Sequence, residues 1–317
     1  ISRNIDSIEY PDRSDMKKFL SIKYSFPEWL IEMWNKTYTY EQIEKILIGF
    51  DRDKRTYIRC NTNVTTPDEL RHRLETEKIT VIPVKGLSYA FEIKGYNYID
   101  DIETFADGCF QIQDISSMLA GEAACINGDE HIIDVCAAPG GKTINAALKL
   151  KSGDVDSRDV SDYKVSLIED NLDRLGIDNV TTKVWDATVV DESAVGKADI
   201  VIADVPCSGL GIIGRKPDIK YNTSPEKIQE LVKLQRNILS TVQSYVKKGG
   251  YLIYSTCTIN ESENEDNVKW LCDNYGFEVC PPDNTIKEYM TAVSDNHMLN
   301  DDNIIDNAID NTIDNKY

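Results

Sequence analysis

The stretch Ile132-Ile-Asp-Val-Cys-Ala-Ala-Pro-Gly-Gly-Lys-Thr143 decides the fold, because it has the pattern of a short buried strand, a glycine-rich turn and the start of a helix. Glycines in such a turn let the backbone approach a ligand, and the amino terminus of the following helix favours an anionic group. Two further apolar runs, Ile200-Val-Ile-Ala203 and Tyr251-Leu-Ile-Tyr254, are typical of buried parallel strands.

Helical patterns lie between these runs. One has Val165, Ile168, Leu172 and Leu175 on one face and ends at Gly176. A second begins with Ser224 as cap and Pro225 in its first turn, and is predicted to end at Lys247-Lys248-Gly249. Strands that alternate with helices predict an α/β fold with a doubly wound, Rossmann-like parallel sheet, whose ligand lies beyond the carboxyl ends of the strands.

Two nucleotide-binding patterns compete for the same sequence. Gly141-Lys-Thr143 resembles the end of a P-loop, but that pattern needs a glycine six positions before the lysine, where this chain has Cys136. Gly209-Leu-Gly-Ile-Ile-Gly214 matches the dinucleotide-binding pattern in its letters. That pattern must open a helix, and Pro217 follows it instead. Both interpretations are therefore disfavoured.

Aspartates end four of the predicted strands: Asp134, Asp159, Asp186 and Asp204. A single aspartate in such a place is usually a cap or a turn residue. Four around one cleft suit a nucleoside ligand and would repel a triphosphate. Asp159 follows the glycine-rich turn by about 20 residues, the spacing at which a carboxylate binds ribose hydroxyls.

Cys207 and Cys257 each lie just past a strand of the predicted sheet, so both are expected at its ligand-binding edge. A buried structural thiol is the ordinary interpretation of one such cysteine. A zinc site lacks further ligands at suitable spacing, and the chain has only 3 histidines, all scattered, which also weakens a Cys-His protease dyad. A thiolate, an acidic group and a second proton handler could instead activate C5 of cytosine, after addition of the thiolate to C6. Cys257, Asp204 and Cys207 are of these types.

Composition divides the chain into four segments. Residues 1–23 are expected to be a linker or the remnant of an upstream helical domain, and residues 24–105 a small α+β domain. Residues 106–293 hold the alternating strands and helices. Residues 294–317 repeat Asp-Asn with Ile, and this low-complexity acidic tail is expected to be disordered.

Charge is unevenly distributed. The net charge is -19, which argues against a broad nucleic-acid surface. Residues 201–250 nevertheless carry 8 basic and 4 acidic residues, and Arg215, Lys216 and Lys220 form a local basic cluster. Any nucleic-acid contact is therefore expected to be focused there, although a solvated loop is the simpler interpretation of the cluster.

Other features exclude whole classes of protein. No apolar run has the length of a membrane-spanning helix, and the chain begins at Ile1 without a signal-peptide pattern. Eight cysteines in 317 residues do not form a disulfide scaffold, so reduced thiols in a cytoplasmic protein are expected. No bound metal, no membrane partner and a monomeric state are also predicted.

Three motifs together resemble those of the Sun/Nop-type RNA (cytosine-5) methyltransferases. They are Asp134-Val-Cys-Ala-Ala-Pro-Gly-Gly-Lys-Thr143, Asp204-Val-Pro-Cys-Ser-Gly-Leu-Gly211 and Tyr254-Ser-Thr-Cys-Thr-Ile259. Weaker likenesses are Arg59-Cys-Asn-Thr-Asn63, Phe105-Ala-Asp-Gly-Cys-Phe-Gln-Ile-Gln-Asp114 and Gly214-Arg-Lys-Pro-Asp-Ile-Lys220. The resemblance extends roughly from residue 24 to residue 280 and depends on the two cysteine motifs occurring together.

This resemblance implies methylation of a cytosine at C5 in small-subunit ribosomal RNA, with S-adenosylmethionine as methyl donor. It implies Cys257 as the nucleophile, Cys207 as the residue that assists product release, and an RNA-binding domain of RNA-recognition-motif type over residues 24–105. The residues implied to hold the methyl donor are Cys136, Ala137, Ala138, Pro139, Gly140, Gly141, Lys142, Asp159, Asp186 and Asp204.

The chain departs from the family pattern at both ends. Only a remnant of the family's N-terminal helical domain precedes Tyr24, which suggests a fragment, and no Gly-Phe-Phe-type strand follows Cys280. The alternative interpretation is accordingly a non-catalytic RNA-binding or ribosome-assembly protein derived from such an enzyme.

Overall fold

The computed structural model describes residues 11–52, 55–281 and 284–297, and it begins with three packed helices. These are α1 (Met16–Tyr24), α2 (Glu28–Trp34) and α3 (Tyr40–Arg52). Their apolar side chains share one core with Leu210, Ile213 and Ile228 from much later in the chain. Residues 16–23, expected to be part of a linker or of the remnant of an upstream helical domain, therefore belong to a folded unit that rests on the segment after Cys207.

A four-stranded antiparallel sheet follows. Its strands are β1 (Thr56–Cys60), β2 (Thr80–Pro83), β3 (Ala90–Lys94) and β4 (Phe110–Ile112), in the order β2-β3-β1-β4. Helix α4 (Pro67–Thr76) joins β1 to β2, and α5 (Glu103–Ala106) precedes β4. Helix α4 begins at a reciprocal capping box, which Thr66 and Glu69 form. The expected domain boundary at residues 105 and 106 divides this sheet, because β4 lies beyond it.

Both faces of the antiparallel sheet are covered at the strand β1. On one face, Ile58, Phe91 and Phe110 pack against the apolar side of α4. On the other face, Arg59 is 2% exposed and donates to Gln113 Oε1 over 2.7 Å. This face is therefore covered at β1, whereas its β2 edge is more open, since Ile82 is 38% exposed.

The second sheet is parallel throughout. After α6 (Ile115–Ala123) come the strands β5 (His131–Asp134), β6 (Asp154–Asp159), β7 (Val180–Val184), β8 (Ala198–Asp204) and β9 (Val246–Ser255), in the order β7-β6-β5-β8-β9. The helices that follow α6 are α7 (Gly141–Ala147), α8 (Asp162–Leu175), α9 (Ile219–Asn222), α10 (Pro225–Val242) and α11 (Glu265–Tyr275). The predicted α/β fold with a doubly wound, Rossmann-like sheet is confirmed.

Alternation along the strands supplies a core on each side of the parallel sheet. Ile132 and Ile200 face α7 and α8, whereas Ile133 and Val201 face α10 and α11. The end predicted for α10 is wrong. Lys247, Lys248 and Gly249 lie in β9, because the helix stops at Val242 and a single 3₁₀ turn leads into the strand.

The last described element is α12 (Asn284–His297). Ile286 and Tyr289 are buried in one cluster with Leu87 and Met118, so α12 covers part of the antiparallel sheet and α6. The tail predicted from Ser294 therefore begins inside a helix, and its remainder, residues 298–317, lies outside the described residues.

Candidate active site

The glycine-rich turn joins β5 to α7, as the sequence predicts. Gly140 has a φ of 100° and caps α7, a conformation that L side chains rarely adopt. An added Cβ would also meet Ile168 Cγ2 at 3.3 Å and Ile144 Cδ1 at 3.4 Å. Glycine is therefore needed here both for backbone conformation and for close packing of the turn on α8.

Asp159 ends β6 and ties the glycine-rich turn to its neighbour strand. Its Oδ2 accepts from the backbone N–H of Ala138 at 3.0 Å, and its Oδ1 accepts from the N–H of Val160 at 2.7 Å. Lys164 Nζ lies 3.0 Å from Oδ1. Asp159 is only 3% exposed, whereas the adjacent apolar Val160 is 56% exposed. Ribose binding by Asp159 thus stays a prediction, and the structure shows in addition that the carboxylate shapes the turn.

Asp134 ends β5 beneath the turn and is fully buried. Its Oδ2 accepts from Thr143 Oγ1 over 2.7 Å, while Oδ1 has no hydrogen-bond partner among the described residues. Burial raises the pKa of this carboxyl to about 7. The structure therefore places a carboxyl with one unsatisfied oxygen directly below the turn.

Asp204 ends β8 and lies between two polar partners. Its Oδ2 is 2.7 Å from Lys142 Nζ, and its Oδ1 accepts from Ser255 Oγ at 2.7 Å. Ser255 ends β9, and the two strands are in register at Asp204 and Ser255. The glycine-rich turn, β8 and β9 are thus joined at one edge of the sheet.

The two cysteines lie together at this same edge. Cys207 Sγ and Cys257 Sγ are 3.1 Å apart, and the backbone N–H of Cys257 donates to Cys207 Sγ over 3.2 Å. Both thiols are free, and Cys257 is the more exposed of the two. The predicted convergence of these residues is what the structure shows.

The environment distinguishes the two thiols. The pKa of Cys257 is lowered by the hydrogen bond from the Cys207 thiol, and the cation of Lys142 acts in the same direction. Burial and Asp204 oppose this shift without cancelling it. The same hydrogen bond, together with burial, raises the pKa of Cys207. Of the two thiols, Cys257 is therefore the one that loses its proton more readily.

The remaining predicted residues lie apart from the thiol pair or have partners of their own. Asp186 is exposed after β7 and accepts from the N–H and hydroxyl of Thr188. Arg215 pairs with Asp114 and donates to the carbonyl of Arg55 at 3.3 Å. Lys220 Nζ lies 4.4 Å from the centre of the Phe26 ring. Lys216 is exposed and forms no ion pair within the part of the chain that the structure describes.

Sequence reasoning missed a buried polar group beneath the cysteines. Gln235, Glu263 and Asn267 are each 0% exposed and are linked by hydrogen bonds. Glu263 stands in a run of acidic residues that looks like a solvated surface, so no sequence signal identifies it as buried.

The described residues offer neither a cluster of metal ligands nor a membrane-spanning helix. Within residues 11–52, 55–281 and 284–297, no group of three or more His, Cys, Asp or Glu side chains is arranged to hold a metal ion. In the same ranges no helix combines the length and apolar character needed to cross a bilayer.

Comparison with known families gives two matches. The family described as 16S rRNA methyltransferase RsmB/F matches residues 124–289, and the ferredoxin-like domain of RsmF/B-like methyltransferases matches residues 26–99. The strand order β2-β3-β1-β4 described above is the corresponding sheet.

Curated relatives agree with these matches. The chain is 38% identical to the probable ribosomal RNA small subunit methyltransferase B of Bacillus subtilis (strain 168), over 84% of this chain and 58% of the relative. It is 31% identical to the ribosomal RNA small subunit methyltransferase F of Escherichia coli O81 (strain ED1a), over 79% of this chain and 54% of the relative. The chain thus spans somewhat more than half the length of these relatives.

Solved structures share the fold. The crystal structure of PH0851 is 30% identical with a TM-score of 0.80, covering 87% of this chain and 63% of that one. A methyltransferase homolog protein from Pyrococcus horikoshii is 25% identical with a TM-score of 0.73, covering 84% of this chain and 90% of that one. NSun6 from the same organism, solved with SFG, has a TM-score of 0.75 at 21% identity, covering 82% of this chain and 90% of that one, which supports the fold alone.

Proposed function

Because the chain belongs to the 16S rRNA methyltransferase RsmB/F family, we propose that it methylates C5 of a cytosine in small-subunit ribosomal RNA through a covalent adduct with Cys257. The observation that carries this proposal is the thiol pair, with sulfurs 3.1 Å apart and Lys142 close enough to favour the Cys257 thiolate. Such a pair at the carboxyl edge of a parallel sheet lies where ligands of this fold bind.

The residues at this edge fit S-adenosylmethionine, which supplies an electrophilic methyl carbon when it is bound. Carboxylates accept hydrogen bonds from ribose hydroxyls and favour the positive charges of the donor, and Asp159, Asp186 and Asp204 provide them. The exposed Val160 beside Asp159 offers an apolar contact for a purine ring. The unsatisfied oxygen of Asp134 adds further acceptor character beneath the turn. The backbone of residues 136–142 completes this binding site.

Binding experiments test the cofactor separately from the reaction. Calorimetry is expected to show binding of S-adenosylhomocysteine and none of magnesium-ATP, because the site is lined with carboxylates that repel a triphosphate. Tight magnesium-ATP binding without S-adenosylhomocysteine binding would favour the P-loop interpretation.

In the first half of the proposed reaction, the Cys257 thiolate attacks C6 of the cytosine ring. A sulfur–carbon bond would form, and the electron pair of the C5–C6 double bond would become available at C5. C5 would then accept the methyl group that bound S-adenosylmethionine supplies, as the bond between that methyl carbon and the donor sulfur breaks. Asp204 is held by Lys142 and Ser255 where it can hydrogen-bond the polar edge of the base. This positioning role keeps C6 in line with the Cys257 sulfur.

In the second half, solvent water accepts the proton from C5, the ring double bond re-forms, and the electron pair of the sulfur–carbon bond returns to Cys257, whose position at the surface admits that water. A thiolate leaves more easily when a hydrogen bond stabilises it. Cys207 supplies that hydrogen bond, since its thiol lies 3.1 Å from the Cys257 sulfur and keeps its proton. Cys207 therefore assists release of the methylated RNA.

Methyl transfer from tritiated S-adenosylmethionine to small-subunit RNA, followed by nucleoside analysis, tests the proposal. The expected product is 5-methylcytidine, and Cys257→Ala is the matched inactive control. RNA binding without methyl transfer would favour the non-catalytic interpretation, and a label on another nucleoside would contradict the proposed chemistry.

RNA binding by the N-terminal antiparallel sheet is also a proposal. Because both faces of that sheet are covered at β1, the contacts are expected from its loops and edges, including the more open β2 edge, and not from its centre.

A further inference from the structure

Glu263 lies in a single 3₁₀ turn between β9 and α11 and is 0% exposed. It forms no ion pair with any residue that the structure describes. Burying a carboxylate without a cation is costly unless several hydrogen bonds replace its water. A buried glutamate of this kind needs a compensating arrangement of donors, and Glu263 has one.

Four donors surround the Glu263 carboxylate. Oε1 accepts from the Ser208 backbone N–H at 2.8 Å and from Gln235 Nε2 at 3.1 Å. Oε2 accepts from Ser208 Oγ at 2.5 Å and from Asn260 Nδ2 at 3.1 Å. These donors come from the loop after β8, from α10 and from the loop after β9, so one side chain joins three separate segments.

Two of those segments carry the thiols. Ser208 directly follows Cys207, and Asn260 is three residues after Cys257. The two loops have further links, since Ser208 Oγ is 2.9 Å from Thr258 Oγ1 and the Gly211 N–H donates to the Cys257 carbonyl at 3.0 Å. Glu263 contacts neither sulfur, yet it binds both loops at the residues that flank them.

We propose that Glu263 is a positioning residue that sets the distance between the Cys207 and Cys257 sulfurs. This inference rests on the proposed function, because the distance matters for the release of product only if the thiols act in sequence. A displacement of about 1 Å is enough to break a hydrogen bond or misalign a reacting group. Loss of Glu263 is therefore expected to impair the second half of the reaction more than the first.

The substitution Glu263→Gln tests this with little change in size. The amide replaces one acceptor oxygen by a donor, so it faces donors from Ser208, Gln235 or Asn260 without satisfying them. The first readout is the rate at which diamide, which takes up two electrons and two protons from the thiols, closes a Cys207–Cys257 disulfide in the folded protein. That rate is expected to fall about tenfold or more.

The second readout is the covalent protein–RNA adduct in the presence of S-adenosylmethionine. Glu263→Gln is expected to form the adduct and release it slowly, so that adduct accumulates relative to methylated product. The matched control is Glu265→Gln, because Glu265 is an exposed glutamate two residues away that takes no part in this network. Its disulfide closure and adduct release are expected to equal those of the unsubstituted chain.

Disulfide closure and adduct release at unsubstituted rates in Glu263→Gln would overturn the inference. If Glu263→Gln does not fold, Ser208→Ala is the second test, because it removes one donor to Glu263 and leaves three. Unchanged disulfide closure in Ser208→Ala would likewise overturn the inference. If the unsubstituted chain methylates no cytosine, the proposed function fails. The diamide measurement still tests the role of Glu263, because it reports sulfur positions and not methyl transfer.

Discussion

At the scale of single residues, the two thiols of the active site are chemically unequal although they are in contact. Cys257 is the more exposed, and both Cys207 and Lys142 lower its pKa. The Cys207 sulfur has two hydrogen-bond partners, the sulfur of Cys257 and the backbone N–H of Cys257. In the proposed reaction, Cys257 is therefore the attacking sulfur and Cys207 the hydrogen-bond donor.

Substitutions of the two cysteines are accordingly expected to affect the reaction in different ways. Cys257→Ala should abolish both methyl transfer and the covalent adduct, because the attacking sulfur is gone. Cys207→Ala should permit attack and methylation but stall release, which leaves an adduct that depends on S-adenosylmethionine and survives denaturing electrophoresis. A stable adduct in Cys257→Ala would reverse the assignment. Equal, mild losses of about 1 kcal/mol in stability, with similar changes in activity, would indicate ordinary buried thiols.

Lys142 supplies a second prediction at this scale. Lys142→Met removes a cation that favours the Cys257 thiolate and leaves Asp204, which disfavours it. The pKa of Cys257 should therefore rise, so the pH midpoint of its alkylation by iodoacetamide should move upward, as mass spectrometry of the Cys257 peptide would show.

Lys164→Met is the matched control for that measurement. Lys164 also pairs with an active-site aspartate, Asp159, at 3.0 Å, but it does not contribute to the Cys257 pKa. An upward shift of the same size in both variants would mean that Lys142 acts through general charge and not through its position.

At the scale of elements, sequence reasoning succeeded where a cap or a periodic face is local. Helix α8 ends at Gly176, as predicted, and it buries Val165, Ile168 and Leu172 along one side. Ser224 likewise caps α10 at its predicted start. These signals lie within one turn of the residues that they control, so tertiary contacts do not alter them.

Elements that depend on distant partners were missed. Helix α1 buries only Phe19 and Leu20, and α12 packs Ile286 and Tyr289 on a surface from elsewhere in the chain. Dependence on distant residues also limits what can be predicted within the site. The convergence of Cys207 and Cys257 follows from strand order, but the burial of Glu263 depends on three segments that no local pattern connects.

Helix α12 gives a prediction about stability. Ile286 is 6% exposed in the cluster with Leu87 and Met118. Ile286→Ala should lower the free energy of unfolding by about 2–5 kcal/mol, the usual cost of such a cavity, as measured by urea denaturation. Val279→Ala is the control, because Val279 is 73% exposed and should change stability by about 0.5 kcal/mol or less.

Composition predicts that residues 298–317 are dispensable for stability. Ending the chain after His297 should leave the melting temperature unchanged, as differential scanning calorimetry would show. A marked decrease would mean that these residues contribute a packed element.

At the scale of the whole molecule, the distribution of charge limits how the RNA of the proposed reaction could be held. A net charge of -19 repels a polyanion over most of the surface, so affinity must come from a few cations beside the site. The basic cluster supplies fewer unpaired cations than its sequence suggests. Arg215 is paired with Asp114, and Lys220 lies on the Phe26 ring with its pKa lowered by burial. Lys216 is the exposed member of the three that forms no ion pair with a described residue.

Because the three cations of the basic cluster have different partners, substitutions of them are expected to change RNA binding by different amounts. Each phosphate contact contributes about -0.7 to the slope of log affinity against log salt for single-stranded nucleic acid. Lys216→Gln should make that slope less steep by about this amount, measured by filter binding of small-subunit RNA across a salt series. Arg215→Gln should change it less, since Asp114 already neutralises Arg215. Lys248→Gln, at the opposite end of β9 from Ser255, should leave the slope unaltered. An unchanged slope in Lys216→Gln would show that the cluster is a solvated loop and that the phosphate contacts lie elsewhere.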